Sequence, residues 1–79
     1  MNESDIYARL TRILQEVFDD DSIAATPTLS ANDVDGWESL THIRLMLTVE
    51  KAFNVKFSTS EIGKMQTLGD LVTIIKART

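Results

Sequence analysis

The sequence predicts an all-α domain, a four-helix bundle of three main helices and one short third helix. Apolar residues recur at helical spacing in three separate stretches of the 79-residue chain. Two further segments begin with serine or threonine followed three residues later by an acidic residue, which is the pattern of a helix start. No stretch alternates apolar and polar residues as a half-buried strand would.

Composition indicates one small globular domain. The absence of cysteine and the single histidine exclude disulfides, thiolate metal sites and multi-histidine metal sites. The amino terminus is polar and acidic, and no apolar run approaches the length of a membrane span. We therefore expect a cytoplasmic monomer without a membrane partner.

The first helix is predicted from Ser4 to about Phe18. Ser4 is the expected N-cap, because its hydroxyl can accept a hydrogen bond from a backbone N–H, and Asp5 suits the positive end of the helix dipole. The apolar residues form a single face that is expected to lie in the core: Ile6, Leu10, Ile13, Leu14, Val17 and Phe18.

A connection of about twenty residues, Asp19 to Glu38, follows this helix. Its three leading aspartates should end the helix, and Pro27 disfavours helical geometry at Thr26. Connections this long are usually functional, and this one would either join two helices of the same direction or deliver a chosen residue to one end of the bundle. Three isolated apolar residues are expected to hold it against the core: Ile23, Leu29 and Val34.

Negative charge is concentrated in and beside this connection. No lysine or arginine occurs between Ile13 and Ile43, whereas the same span contains Glu16, Asp19, Asp20, Asp21, Asp33, Asp35 and Glu38. This distribution disfavours nucleic acid as a partner and favours docking onto basic protein surfaces. The alternative is a solvated loop that only keeps the domain soluble.

The central helix is predicted from Ser39 to Phe53, ending at Asn54, which tolerates left-handed geometry. Its apolar residues cover most of its circumference: Leu40, Ile43, Leu45, Met46, Leu47, Val49 and Phe53. Only a narrow polar strip remains, formed by Thr41, Arg44, Thr48 and Lys51. We therefore expect neighbouring elements to surround this helix.

Two more helices complete the prediction. Ser58 and Glu61 match a capping box, and Gly63 limits the third helix to one or two turns, making it either a connector or a displaceable gate. Thr67 and Asp70 repeat the cap pattern for a last helix that runs to about Ala77. Its apolar residues are Leu68, Leu71, Val72, Ile74 and Ile75.

Ser39 is the residue best placed for chemistry, and two roles are open to it. It can be a simple helix cap, or its hydroxyl can be modified, because unpaired N–H groups at a helix start attract anions. Catalysis is disfavoured: His42 lies within reach on the same helix, but no oxyanion loop is evident and so small a domain has little room for a substrate cleft. The aspartates of 19–21 lack the glycine and spacing of a calcium loop.

The segment Asp35-Gly36-Trp37-Glu38-Ser39-Leu40-Thr41-His42-Ile43, entering a mostly apolar helix, resembles the acyl carrier proteins. Their signature is Asp-Ser-Leu or a close variant, with the serine carrying 4′-phosphopantetheine. The resemblance extends over nearly the whole chain, including Thr26-Pro27, Glu50-Lys51-Ala52-Phe53 and Leu68-Gly69-Asp70-Leu71-Val72. It implies a stand-alone acyl carrier domain over residues 1–79, which is not an enzyme but the substrate of a phosphopantetheinyl transferase that uses coenzyme A.

The resemblance also implies partners and a cargo site. Acyl-loading, condensing and modifying enzymes would act on acyl thioesters carried from Ser39. We expect docking at Asp33, Asp35, Glu38, Leu40, Thr41 and Arg44. We expect the acyl chain to be sheltered among Leu45, Met46, Val49, Phe53, Ile62 and Met65, where methionine adapts to variable filling.

Three departures from the family pattern bear on the pathway. Glu38 replaces the usual aspartate, Trp37 replaces a small residue, and Glu50 is the only acid on the helix after Ser39. The shortage of acids on this helix favours a dedicated pathway, fatty-acid-like, polyketide-like or other, over ordinary fatty-acid synthase partners. The alternatives are a peptidyl or aminoacyl carrier, although the Leu-Gly-Gly lead-in is absent, and a helical interaction module without the arm.

Overall fold

A computed structural model describes residues 2–79, which form four α-helices and one short 3₁₀ helix. The helices are α1 (Glu3–Phe18), α2 (Ser39–Phe53), α3 (Thr59–Lys64) and α4 (Leu68–Arg78), and the 3₁₀ turn is Ala31–Asp33. The described range contains no strand, so the predicted all-α bundle with a short third helix is confirmed. The expected domain of residues 1–79 differs from this range only at Met1, which lies outside the described residues.

The start of α1 corrects one prediction. The N-cap is Asn2 and not Ser4: the Asn2 side-chain oxygen accepts a hydrogen bond from the Asp5 backbone N–H at 2.9 Å, and the helix begins at Glu3. Asparagine caps as well as serine does, so the helix starts at the earlier of the two candidates and Ser4 becomes part of its first turn.

The other helix ends follow their local sequence. α1 and α2 both end in a left-handed residue, Asp19 at φ 50° and Asn54 at φ 54°. At the start of α3, Ser58 Oγ accepts from the Glu61 N–H at 3.1 Å, and Glu61 Oε1 accepts from the Ser58 N–H at 2.9 Å. This reciprocal pair is the predicted capping box.

The core lies between α1, α2 and α4. Each of these three helices buries one apolar face in the core, and the innermost side chains are Ile6, Leu10, Leu14, Leu45, Met46, Val49, Leu68, Leu71, Val72 and Ile75. The predicted loop anchors join this core, with Ile23 and Val34 buried and Leu29 half-buried. None of the helices within residues 2–79 combines the length and apolarity that crossing a bilayer requires.

The long connection is tied to α4 by its backbone. The N–H groups of Leu68 and Gly69, at the start of α4, donate to the carbonyls of Leu29 and Pro27, each at 3.0 Å. A side chain at position 69 would place its Cβ only 3.0 Å from the Pro27 carbonyl oxygen, so glycine permits this close approach. The Ala25 N–H also donates to Thr11 Oγ1 of α1 at 2.9 Å, so the connection is held at both α1 and α4.

The prediction that neighbours surround α2 is wrong. Leu40, Ile43 and Leu47 are 82%, 52% and 55% exposed, and they are the only large apolar side chains among residues 2–79 with this degree of exposure. Of the predicted polar strip, Arg44 and Lys51 are exposed, whereas Thr41 and Thr48 are half-buried. The physical reason is size: α1, α4 and the single short α3 leave one side of α2 uncovered.

Candidate functional site

Ser39 is the first residue of α2, and its side chain is exposed. The N-cap is its neighbour Glu38, in extended geometry, so Ser39 is not the cap of this helix. No hydrogen bond of the Ser39 hydroxyl is found within residues 2–79. The hydroxyl is therefore exposed at a helix start and has no hydrogen-bond partner in the part of the chain that the structure describes.

Thr41 supplies a short capping interaction at the start of α2. Its Oγ1 accepts a hydrogen bond from the Glu38 backbone N–H at 2.7 Å and donates to the Gly36 carbonyl at 2.7 Å. Glu38 and Thr41 are the N-cap and N3 residues of a capping box at this helix start. Thr41 thus connects the first turn of α2 to the preceding loop and leaves the Glu38 carboxylate exposed beside Ser39.

Gly36 sets the direction of the chain into the helix. Its φ of +84° lies in the left-handed region that favours glycine, and no atom lies within 4 Å of the position a Cβ would occupy. The next residue, Trp37, turns inward: it is 8% exposed, and its ring centroid is 5.4 Å from that of Phe18. One turn thus buries the indole and leaves Glu38 and Ser39 outside.

His42 is fixed by hydrogen bonds at both ring nitrogens. Trp37 Nε1 donates to His42 Nδ1 at 3.1 Å, and His42 Nε2 lies 3.2 Å from the Ile62 carbonyl oxygen. Because an indole N–H can only donate, the proton of the neutral imidazole is on Nε2, from which it donates to Ile62. No lone pair of the ring is left for the Ser39 hydroxyl, so the two residues do not form a nucleophile and base.

A cleft of about 310 Å³ opens between the start of α2 and α3. Its lining comprises Ala31, Trp37, Glu38, Ser39, His42, Ile62, Gly63, Met65 and Gln66. Two of the residues predicted to shelter an acyl chain, Ile62 and Met65, lie here. The other four do not line the cleft, because they are buried in the core beneath it: Leu45, Met46, Val49 and Phe53.

The residues predicted to dock partners lie on the loop before α2 and on its first two turns. Asp33, Asp35 and Glu38 are exposed, as are Leu40 and Arg44, whereas Thr41 is half-buried by its capping role. The sequence prediction missed the Trp37–His42–Ile62 connection. The sequence carried one signal for it, a tryptophan and a histidine five residues apart across a helix start.

The fold and the site together define a class of protein, a small helical domain that presents a serine hydroxyl rather than activating it. The curated acyl carrier protein of Caulobacter vibrioides is 32% identical to this chain over 76 residues, covering 96% of this chain and 97% of that protein. The acyl carrier protein of Phenylobacterium zucineum is 31% identical over 75 residues, covering 95% of each. No family model matches the chain.

A solved structure gives the same result. The solution structure of holo acyl carrier protein from Geobacter metallireducens superposes with a TM-score of 0.85 at 40% sequence identity, covering 91% of this chain and 83% of that one. The chain therefore belongs to the acyl carrier protein family, as the resemblance at the serine motif predicted.

Proposed function

We propose that this chain carries acyl groups as thioesters on a 4′-phosphopantetheine arm attached to Ser39. A phosphopantetheinyl transferase would supply the arm from coenzyme A, and the arm would supply the thiol on which the cargo travels. The single observation that carries the proposal is the exposed, unbonded Ser39 hydroxyl at the first position of α2.

The surroundings of Ser39 fit a phosphodiester. The free backbone N–H groups at the start of α2 and the helix dipole favour a negative charge at this end. Gly36 leaves open space three residues before the serine. The Geobacter relative is a holo acyl carrier protein, which supports a prosthetic group in this chain as well.

The cleft beside Ser39 is the proposed entrance for the cargo. Ile62 and Met65 form its apolar wall, and Gly63 leaves open space on α3. A six-residue helix has few contacts and is displaced at low free-energy cost. Outward movement of α3 would add the predicted floor of the cavity: Leu45, Met46, Val49 and Phe53.

The proposed pathway is a dedicated one, fatty-acid-like or polyketide-like, with its own loading and condensing enzymes. The transferase would approach the acidic residues beside Ser39, namely Asp33, Asp35 and Glu38, which are all exposed. Long-range attraction between this acidic surface and a basic partner would speed their encounter at low salt.

The proposal is tested by treating the protein with coenzyme A and a promiscuous phosphopantetheinyl transferase, followed by measurement of its intact mass. We expect the wild type to gain one 4′-phosphopantetheine and Ser39→Ala to gain none with an unchanged circular dichroism spectrum. Ser60→Ala is the matched control, because Ser60 is also an exposed serine in a first helical turn, and it should be loaded as the wild type is. Loading of Ser39→Ala would show the assignment to be wrong.

A further inference from the structure

The uncovered side of α2 is a single apolar stripe with two positive charges. The three exposed apolar residues, Leu40, Ile43 and Leu47, share this side with exposed Arg44 and Lys51. At 100° per residue, all five fall within an arc of roughly 100° of the helix surface. We call these five residues the α2 stripe. A shallow, open groove lies between its apolar side chains and Arg44.

The two cations of the α2 stripe are available for an external partner. The ion pairs within residues 2–79 are Lys76–Glu3 and Arg78–Glu61, and neither involves the stripe. The carboxylate of Glu50, the one acid on α2, is engaged elsewhere: its Oε2 accepts a hydrogen bond from the Phe57 backbone N–H at 2.7 Å. The stripe is therefore both apolar and net positive, in a chain whose net charge is −4.

We propose that the α2 stripe is the docking surface for a cargo-handling enzyme whose contact surface is an apolar ridge bordered by carboxylates. Charge complementarity carries the choice of partner, because carboxylates would pair with Arg44 and Lys51 while the ridge fills the groove. The inference rests on the proposed function, because an enzyme working on the arm at Ser39 would meet the stripe, which begins at the next residue of α2.

This surface is separate from the acidic one. Asp33 and Asp35 lie on the loop before α2, whereas Arg44 and Lys51 lie one to three turns into the helix. An enzyme with a basic contact surface and one with an acidic contact surface would thus bind different halves of the surface around the same serine. The carrier would distinguish its transferase from its cargo enzymes by the sign of the charge they present.

A second copy of the chain fits the α2 stripe less well. Pairing two stripes would bring cations of like sign together, and standard stable interfaces bury about 800 Å² on each partner. Three partly exposed apolar side chains on one helix offer much less than this area. A partner enzyme that contacts the helix and the arm together is not limited to the area of these three side chains.

The probes for this proposal are two synthetic helical peptides with the same leucine ridge, one flanked by glutamates and the other by lysines. Each is titrated at low salt into the isotope-labelled carrier while backbone amide NMR signals are followed. We expect the glutamate peptide to shift the signals of Leu40, Ile43 and Leu47 and to bind at least about threefold more tightly than the lysine peptide. Equal or tighter binding of the lysine peptide at the stripe, or no shift with either, would overturn the proposal.

Charge reversal provides the matched comparison. In the double variant Arg44→Glu/Lys51→Glu the preference should invert in favour of the lysine peptide. Arg12→Glu is the control, because Arg12 is an exposed arginine on α1 and its reversal should leave the preference unchanged. An equal effect of both variants would mean that only net charge matters, which contradicts a defined site.

Loading by the transferase separates this inference from the proposed function. Lys51→Glu should still acquire the arm within about twofold of the wild-type rate, because Lys51 lies outside the residues expected to meet the transferase and the acidic surface is intact. A Lys51→Glu variant that fails to load would show that the two halves are not separate and would overturn the inference. If the wild type itself does not load, the proposed function fails, and the peptide comparison still decides the chemistry of the stripe. Signals of the stripe that shift with carrier concentration alone would assign it to a second copy, against the proposal.

Discussion

Trp37 and His42 are joined by a hydrogen bond of 3.1 Å from the indole Nε1 to the imidazole Nδ1, next to the serine proposed to carry the arm. The same imidazole donates from Nε2 to the Ile62 carbonyl of α3 at 3.2 Å. One side chain of α2 therefore ties the loop before it to the short helix across the cleft. We therefore expect the geometry at Ser39 and the position of α3 to be coupled through His42.

Trp37→Phe tests this coupling. Phenylalanine keeps an aromatic ring against Phe18 but removes the donor to His42 Nδ1, leaving a part-buried acceptor without its partner. We expect the free energy of unfolding to fall by about 1 kcal/mol, with faster amide hydrogen exchange in α3 than in α4. Unchanged exchange in α3 would show that the hydrogen bond does not hold this helix.

Thr41→Val tests the start of α2. Valine has nearly the same shape but can neither accept from the Glu38 N–H nor donate to the Gly36 carbonyl. We expect a loss of about 1 kcal/mol in the free energy of unfolding, as for a lost helix cap, measured by urea denaturation. Thr48→Val is the control, because the Thr48 hydroxyl bonds only the Arg44 carbonyl within its own helix, and its loss should be smaller. Equal losses in the two variants would contradict the capping role.

The ion pair of Glu61 and Arg78 should make the free energy of unfolding depend on pH. The hydrogen bond from the Arg78 side chain, at 2.6 Å, and a second from the Ser58 backbone N–H lower the pKa of Glu61 below its ordinary value of 4.5. Because the pKa is lower in the folded state, the pair stabilises the fold above the unfolded pKa. That stabilisation is lost as the pH falls through the lower folded pKa.

Glu61→Gln should therefore flatten part of the fall in urea midpoint as the pH drops below 4.5, the ordinary pKa of this carboxyl. Arg78→Gln should return the pKa of Glu61 towards its ordinary value, which carbon NMR of the carboxyl would detect. The same slope of stability against pH in Glu61→Gln and the wild type would contradict the contribution of this pair.

The position of Ser39 was predictable because it depends on local sequence. A glycine turn followed by an apolar helical pattern predicts a helix that starts at the serine. The structure begins α2 at that residue. The capping box at Ser58 and the left-handed end at Asn54 are equally local, and both predictions are confirmed.

Features that depend on which element packs over which side of a helix were not predictable from the sequence. The spacing of Leu40, Ile43 and Leu47 indicates that these positions are apolar, but it does not show that no element packs over them. The contact from His42 to the Ile62 carbonyl spans twenty residues and needs the path of the chain between them. At α1, Asn2 and Ser4 were competing caps of similar strength, and the sequence alone did not separate them.

The most direct test of the central claim is fragmentation mass spectrometry of the wild-type protein after loading from coenzyme A. It reads the position of the modification in the native sequence without relying on a substitution. We predict that every fragment containing Ser39 carries one 4′-phosphopantetheine, and that fragments ending before this residue carry none. A modification mapped to any other hydroxyl, or a protein that stays unmodified under conditions that load another acyl carrier protein, would contradict the account.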